Sequence, residues 1–184
     1  MSAKKEIILG VTASVAIYKA CEILRTLKKS GFEVTVVMTE EAEKLVSPLL
    51  FQSLSGNKVY RGMFEESDAW QIEHVSLADN ADLVLIAPAT ANIIAKIANG
   101  ICDDLLTCVV CATKAPVVIC PAMNENMYKN KITRWNIKKL ESLGYRLVEP
   151  KKGELACGKV GVGCLADTEA IIKEVKKALQ GPAT

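Results

Sequence analysis

Apolar residues follow two alternating rhythms along this chain. Mostly apolar runs occur at 6–11, 33–38, 81–87 and 115–120, with a shorter one at 145–148 after Gly144. Runs of this length with little polar interruption read as strands buried on both faces. Between the first two the spacing changes to threes and fours. Ile17, Ala20, Cys21, Leu24 and Leu27 share one face of a helix that Gly31 closes. Similar patterns predict helices over about 40–54, 91–99, 103–113, 130–143 and 167–179. Strands that alternate with helices imply a parallel sheet covered on both sides. With right-handed crossovers, the expected fold is α/β: a single doubly wound parallel sheet, a flavodoxin-like or Rossmann-like three-layer sandwich. No repeat or linker interrupts the pattern, so 1–180 is expected to be one domain and 181–184 a flexible tail.

Composition narrows the class. The 184 residues suit one domain with a substantial core, and half of them are apolar. No run approaches the roughly 20 residues of a membrane span, and the first six residues lack a signal-peptide core. A formal charge of +2, with lysines spread over helix faces, offers no nucleic-acid surface. Seven cysteines with no secretion signal, and one histidine, point to reduced thiols and no metal site. The expectation is a soluble cytoplasmic protein with a small-molecule substrate, no nucleic acid and no membrane.

Ligands of open α/β sheets bind beyond the carboxyl ends of the strands, so the chemistry is sought there. The first turn, Gly10 to Ala16, lacks the three-glycine dinucleotide fingerprint but carries Thr12 and Ser14. Ser14 either caps the next helix or helps its N-terminus bind an anion. The second run ends at Thr39 with no obvious ribose-binding acid, which favours a mononucleotide over a dinucleotide. In Pro88-Ala89-Thr90-Ala91-Asn92 the small residues admit a flat ligand, and Thr90 and Asn92 either bond it or start a capped helix. Asp103 and Asp104 suit the first turn of a helix. Cys120 to Tyr128 ends a strand and opens a loop in which Asn124 presents both donor and acceptor. Met127 reads as core, whereas Met123 reads as pocket lining. His74 is the natural proton handler near neutral pH. Gly158, Gly161 and Gly163 read as a mobile lid, and Cys157 within it as an acid or nucleophile. Cys21, Cys102, Cys108, Cys111 and Cys120 read as packing residues.

Four segments stand in order: Ile72-Glu73-His74-Val75, Pro88 to Asn92, Pro121 to Met127, and Ala156-Cys157-Gly158. Together they resemble the flavin-dependent cysteine decarboxylases, and within them the phosphopantothenoylcysteine decarboxylases of coenzyme A biosynthesis. The likeness runs over about residues 6–180. It implies FMN as cofactor, and decarboxylation of 4′-phosphopantothenoylcysteine to 4′-phosphopantetheine through thioaldehyde and enethiol intermediates. It also implies roles. His74 serves the oxidative decarboxylation, Asn124 with Met123 grips the carboxylate, and Cys157 protonates the enethiol between clamp residues Ala156 and Gly158. Flavin contacts would fall on Gly10, Ser14, Thr39, Thr90, Asn92 and Asp104, with Thr12 beside Ser14. A homotrimer, or a dodecamer of trimers, would hold the flavin near a subunit interface.

Four positions depart from the family pattern: Ala13-Ser14 stand where two glycines are frequent, Tyr128 where Trp is common, and Cys164 where a basic residue often follows. Many bacterial members continue into a synthetase domain, so the chain is expected to be either a stand-alone enzyme or a domain excised from such a fusion. Rival readings are a peptidyl-cysteine decarboxylase of peptide-antibiotic maturation, a prenyl-flavin synthase of related fold, and a non-catalytic flavin-binding regulatory protein.

Overall fold

The computed structural model describes residues 4–63, 73–156 and 158–181. Four buried strands, β1 (Glu6–Val11), β2 (Glu33–Met38), β4 (Leu83–Ala89) and β5 (Val117–Pro121), form the centre of a six-stranded sheet. The short β3 (Val59–Tyr60) and β6 (Arg146–Leu147) are its edges, and every pairing is parallel. The order β3-β2-β1-β4-β5-β6 reverses between β1 and β4. It is the Rossmann order rather than the flavodoxin one, and the reversal marks a ligand crevice at the strand ends.

Strand alternation sends successive residues to opposite layers. Ile7, Leu9 and Val11 pack with α1 (Tyr18–Lys29), α3 (Pro48–Ser55) and α9 (Thr168–Leu179). Ile8, Val84 and Ile86 pack with α5 (Ala91–Ala98), α6 (Leu105–Ala112) and α8 (Lys131–Ser142). At Gly10 a Cβ would stand 2.7 Å from Leu106 Cδ1, so the glycine lets α6 settle onto β1.

Several elements differ from the expectation. The helix foreseen over 40–54 is two, α2 (Glu40–Glu43) and α3, because Ser47 caps a new start and Pro48 takes its first turn. The edge strand β3, α4 (Glu73–Asn80) and α7 (Glu125–Lys129) carried too few periodic positions to be foreseen. The stretch read as a mobile lid is largely an antiparallel hairpin, β7 (Lys151–Glu154) with β8 (Val160–Cys164). Cys102 and Cys111, expected to pack, are exposed, since one precedes α6 and the other lies on its outer face. Cys120 is buried as expected, and burial pushes its thiol pKa up. Met127, expected in the core, is 49% exposed because Tyr128 takes the inward position of α7. Of the expected tail, 182–184 lie outside the described residues. Among the described residues no helix is long and apolar enough to cross a membrane, and no acidic, Cys or His group could hold a metal ion.

Candidate functional site

Three strand ends meet at the crevice, and each leads into a helix start capped by its own side chain. After β1, Ser14 accepts the Ala16 amide at 3.4 Å, opening the 3₁₀ turn that runs into α1. After β4, Thr90 accepts the Ile93 amide at 3.3 Å and caps α5. After β5, Asn124 accepts the Asn126 amide at 2.9 Å and caps α7. Ser14, Thr90 and Asn124 line one cleft of roughly 690 Å³, where the amides and dipoles of helix starts favour negative groups. Ala13, Ala91 and Ala122 form small, flat wall surface, and Met123 and Met127 add apolar cover. Lys19 is the one cation among the described residues lining the cleft. Sequence reasoning passed over it, although a lysine in the first turn of α1, five residues after Ser14, was the available signal.

Thr12 works one layer below. It is 2% exposed, its Oγ1 donates to the Pro88 carbonyl at 2.7 Å, and it accepts the Thr90 amide at 3.1 Å. The hydroxyl therefore fixes the β4 turn against β1 and does not itself line the cleft.

The hairpin forms the opposite wall, with Ala156 and Gly158 of its tip on the cleft. Two of its glycines are there for close approach. A Cβ on Gly163, at φ +151, would fall 2.1 Å from the Met123 carbonyl oxygen, and the Met123 amide donates to the Gly163 carbonyl at 3.0 Å. A Cβ on Gly161 would fall 2.7 Å from the Glu125 carboxyl, whose Oε1 accepts the Val162 amide at 3.2 Å. Lys129 pairs with the same carboxylate at 2.8 Å and, with the Val162 amide, holds its pKa below the usual carboxylate range. β8 is thus docked against the turn that carries Asn124. Only Gly158, at φ +77 with no atom near its missing Cβ, has the open setting of a loop tip. Cys157 lies outside the described residues, between two that line the cleft.

Where the family pattern varies, the structure supplies local reasons. The buried Tyr128 hydroxyl donates to Glu149 and accepts from Arg134 Nη1 at 2.6 Å. Burial, then the Glu149 carboxylate, push its pKa up to about 12, so it stays neutral. Cys164 lines the cleft, its Sγ donating to the Glu154 carbonyl at 3.3 Å.

The remaining candidates are not brought to the cleft. Thr39 caps α2, accepting the Ala42 amide at 3.4 Å. Gly10 serves α6 packing, and Asn92 is exposed on α5. Asp104 caps α6 in a reciprocal pair with Thr107, at 2.8 and 3.2 Å, and binds Lys96 at 2.9 Å. Burial lowers the Lys96 pKa, but hydrogen bonds and charge from Asp103 and Asp104 outweigh it and raise it to about 12. His74 is half-buried on α4, which packs against α6, and does not line the cleft.

A family model described as Flavoprotein matches residues 1–180. The chain belongs to the flavoprotein family. This flavoprotein is 44% identical over 177 residues to a probable phosphopantothenoylcysteine decarboxylase of Streptococcus mutans, covering 95% of this chain and 99% of that protein. It is 47% identical over 173 residues to the coenzyme A biosynthesis bifunctional protein CoaBC of Bacillus subtilis. That match takes in 94% of this chain but spans only 43% of the longer relative. Among solved structures, the flavoprotein is similar to a PPC decarboxylase mutant complexed with pantothenoylaminoethenethiol, with a TM-score of 0.85 and 29% identity. The likeness covers 97% of this chain and 100% of that one. The FMN-dependent cysteine decarboxylase SpaF gives a TM-score of 0.80 at 32% identity, over 94% and 98% of the two chains.

Proposed function

We propose that this flavoprotein is an FMN-dependent decarboxylase that converts 4′-phosphopantothenoylcysteine to 4′-phosphopantetheine in coenzyme A biosynthesis, in the cytoplasm. The observation that carries the reading is the placement of Asn124. Its turn shares one cleft with the Ser14 and Thr90 helix starts and lies under the hairpin tip. The 44% identity across nearly the whole of a probable phosphopantothenoylcysteine decarboxylase supports a phosphopantothenoyl substrate.

The cleft residues fit an FMN. Alanines leave room for a flat ring, and two helix starts with hydroxyl caps offer amides to a phosphate. Bound there, FMN would supply the two-electron oxidation that turns the substrate's carboxylate into a leaving group, and the electrons that reduce the enethiol product. Ser14 and Thr90 would hold it directly, with Thr12 acting through Thr90.

The chain's own groups do the rest. Asn124 has the amide donor that a carboxylate requires, and Met123 and Ala122 beside it are apolar. That surrounding disfavours a charged carboxylate and so favours its departure as neutral CO₂. Lys19 would neutralise a phosphate at the cleft wall. Cys157, flanked by cleft residues, would deliver the proton to the enethiol. His74 would handle the proton released when the cysteine is oxidised. Its position supports a shared site, in which a homotrimer, or a dodecamer of trimers, brings it to the cleft of another copy. The exposed apolar rim, Val15, Tyr18 and Met127, gives such a copy a surface to cover. Thr39 and Asp104 would then serve the flavin through the helix starts they cap, and Gly10 and Asn92 through the strand and helix that carry them.

The deciding experiment is incubation of the purified protein with phosphopantothenoylcysteine, followed by product mass. Loss of one CO₂ with formation of 4′-phosphopantetheine is expected. A protein that carries no flavin, or a flavin-loaded one that leaves the substrate intact, overturns the reading.

A further inference from the structure

We propose that Glu125 is a positioning residue, whose carboxylate latches the β7–β8 hairpin to the Asn124 turn and so holds the tip over the substrate end of the cleft. The inference rests on the function proposed above for what the tip covers, but the latch itself is read from geometry. Glu125 is the first residue of α7, adjacent to Asn124, and turns its carboxylate toward β8. There it accepts the Val162 amide at 3.2 Å, while Lys129 one turn later steadies it at 2.8 Å. The strand is shaped to receive it. The three atoms nearest a Cβ on Gly161 all belong to the Glu125 carboxyl, at 2.7 to 3.0 Å. Gly161 is not among the positive-φ glycines, so backbone strain does not explain it and the space taken by the carboxylate does. The second tie, from the Met123 amide to the Gly163 carbonyl at 3.0 Å, is backbone alone. Glu125 is therefore the side chain that ties the hairpin to this turn, and both ties end within one residue of Asn124.

The test uses the flavin-loaded protein and two opposing variants. Glu125→Ala removes the latch, and Gly161→Ala expels it from the other side. Without substrate, amide exchange at Val162 should quicken by about tenfold in each, the scale of a lost charge-assisted hydrogen bond. Glu125→Gln, which keeps an acceptor of the same length, should restore it to within about threefold. The double variant should exchange no faster than either single one, because both remove one interaction. With substrate, KM should rise about tenfold in the alanine variants, with flavin affinity unchanged and KM recovered in Glu125→Gln. Unchanged exchange in Glu125→Ala, or additive effects in the double variant, overturns the latch. If Glu125→Ala does not fold, Gly161→Ala and Glu125→Gln carry the same comparison. Faster exchange in a protein whose wild type releases no CO₂ supports the latch and refutes the proposed reaction.

Discussion

One hydroxyl joins Thr12 to Thr90. It takes the Thr90 amide at 3.1 Å and gives its own proton to Pro88, whose carbonyl lies 2.7 Å away. Thr12→Val would strand both groups in a site that is 2% exposed, at a cost of about 1–3 kcal/mol. The same change would loosen the start of α5, so flavin affinity should fall with stability. Thr12→Ser should recover both. Urea denaturation and flavin fluorescence titration measure the two effects, and a flavin affinity indifferent to Thr12→Val would separate Thr12 from the cofactor.

Asn124→Asp keeps a good helix cap but places a negative charge beside the expected carboxylate. Like charges so placed cost several kcal/mol, so kcat/KM should fall by about 100-fold or more. Melting temperature and bound flavin should hardly change. A kcat/KM within about threefold of wild type would remove Asn124 from carboxylate binding.

His74→Asn should abolish CO₂ release with flavin still bound. If the site is shared between copies, a mixed assembly of His74→Asn and Asn124→Asp chains should regain activity that neither possesses alone. Mixing after partial unfolding and refolding, followed by assay of CO₂, makes the comparison. Persistent inactivity in properly formed mixed oligomers would place both residues in one chain's site.

Gly163→Ala and Gly158→Ala separate crowding from backbone strain. Both positions have positive φ, which costs a side chain about 1–2 kcal/mol. At Gly158 that strain is the whole expected effect. At Gly163 the added methyl also meets the Met123 carbonyl, so the loss should exceed that of Gly158→Ala by at least about 1 kcal/mol. Thermal unfolding of the two variants checks the order.

Asp82 ties β1 to β4, taking Lys5 Nζ at 2.6 Å and the Glu6 amide at 2.8 Å. The Lys5 hydrogen bond, joined by the Glu6 amide, holds its pKa below the usual value against the opposing effect of desolvation. The folded carboxyl thus binds its proton less readily than the unfolded one. Its stabilisation is full above the ordinary aspartate pKa of about 3.9 and disappears as pH falls through the depressed folded value. Asp82→Asn should lower stability at pH 7 and flatten its acid dependence in that window. Denaturation curves from pH 2 to 7 would show parallel profiles if the tie contributes nothing.

What the sequence disclosed followed the strength of its periodic signals. Ile7 to Val11 and Leu83 to Ala87 are apolar without a break because helices cover both faces, and that pattern admits few other folds. Ser14, Thr90 and Asn124 were legible because caps at strand ends fall where ligands of such sheets bind. The hairpin was harder. Gly161 and Gly163 look like flexibility in one dimension, and only contact with Glu125 and Met123 shows them to be clearances. Pro48 was a visible signal for a new helix start that the apolar rhythm across 40–54 concealed. Met127 failed as a core residue because its neighbour Tyr128 has partners in Arg134 and Glu149 to hold it inward, and Glu149 lies 21 residues along the chain.

The three caps at the cleft imply that an anion here is met by two donors at once. The Ser14 and Thr90 oxygens each hold a helix amide on a lone pair, at 3.4 and 3.3 Å, and each hydroxyl has its own proton to give. Bonds that long surrender little. A phosphate oxygen can draw on the hydroxyl proton and on a loosened helix amide together, which a ligand without a strong acceptor cannot. At Asn124 the cap is tight, 2.9 Å, so its oxygen is better kept where it is and its amide donor turned to the ligand. The two kinds of cap would therefore sort two kinds of anion. The loose pair can meet a phosphate with hydroxyl and amide together, and the tight one can meet a carboxylate without giving up its cap.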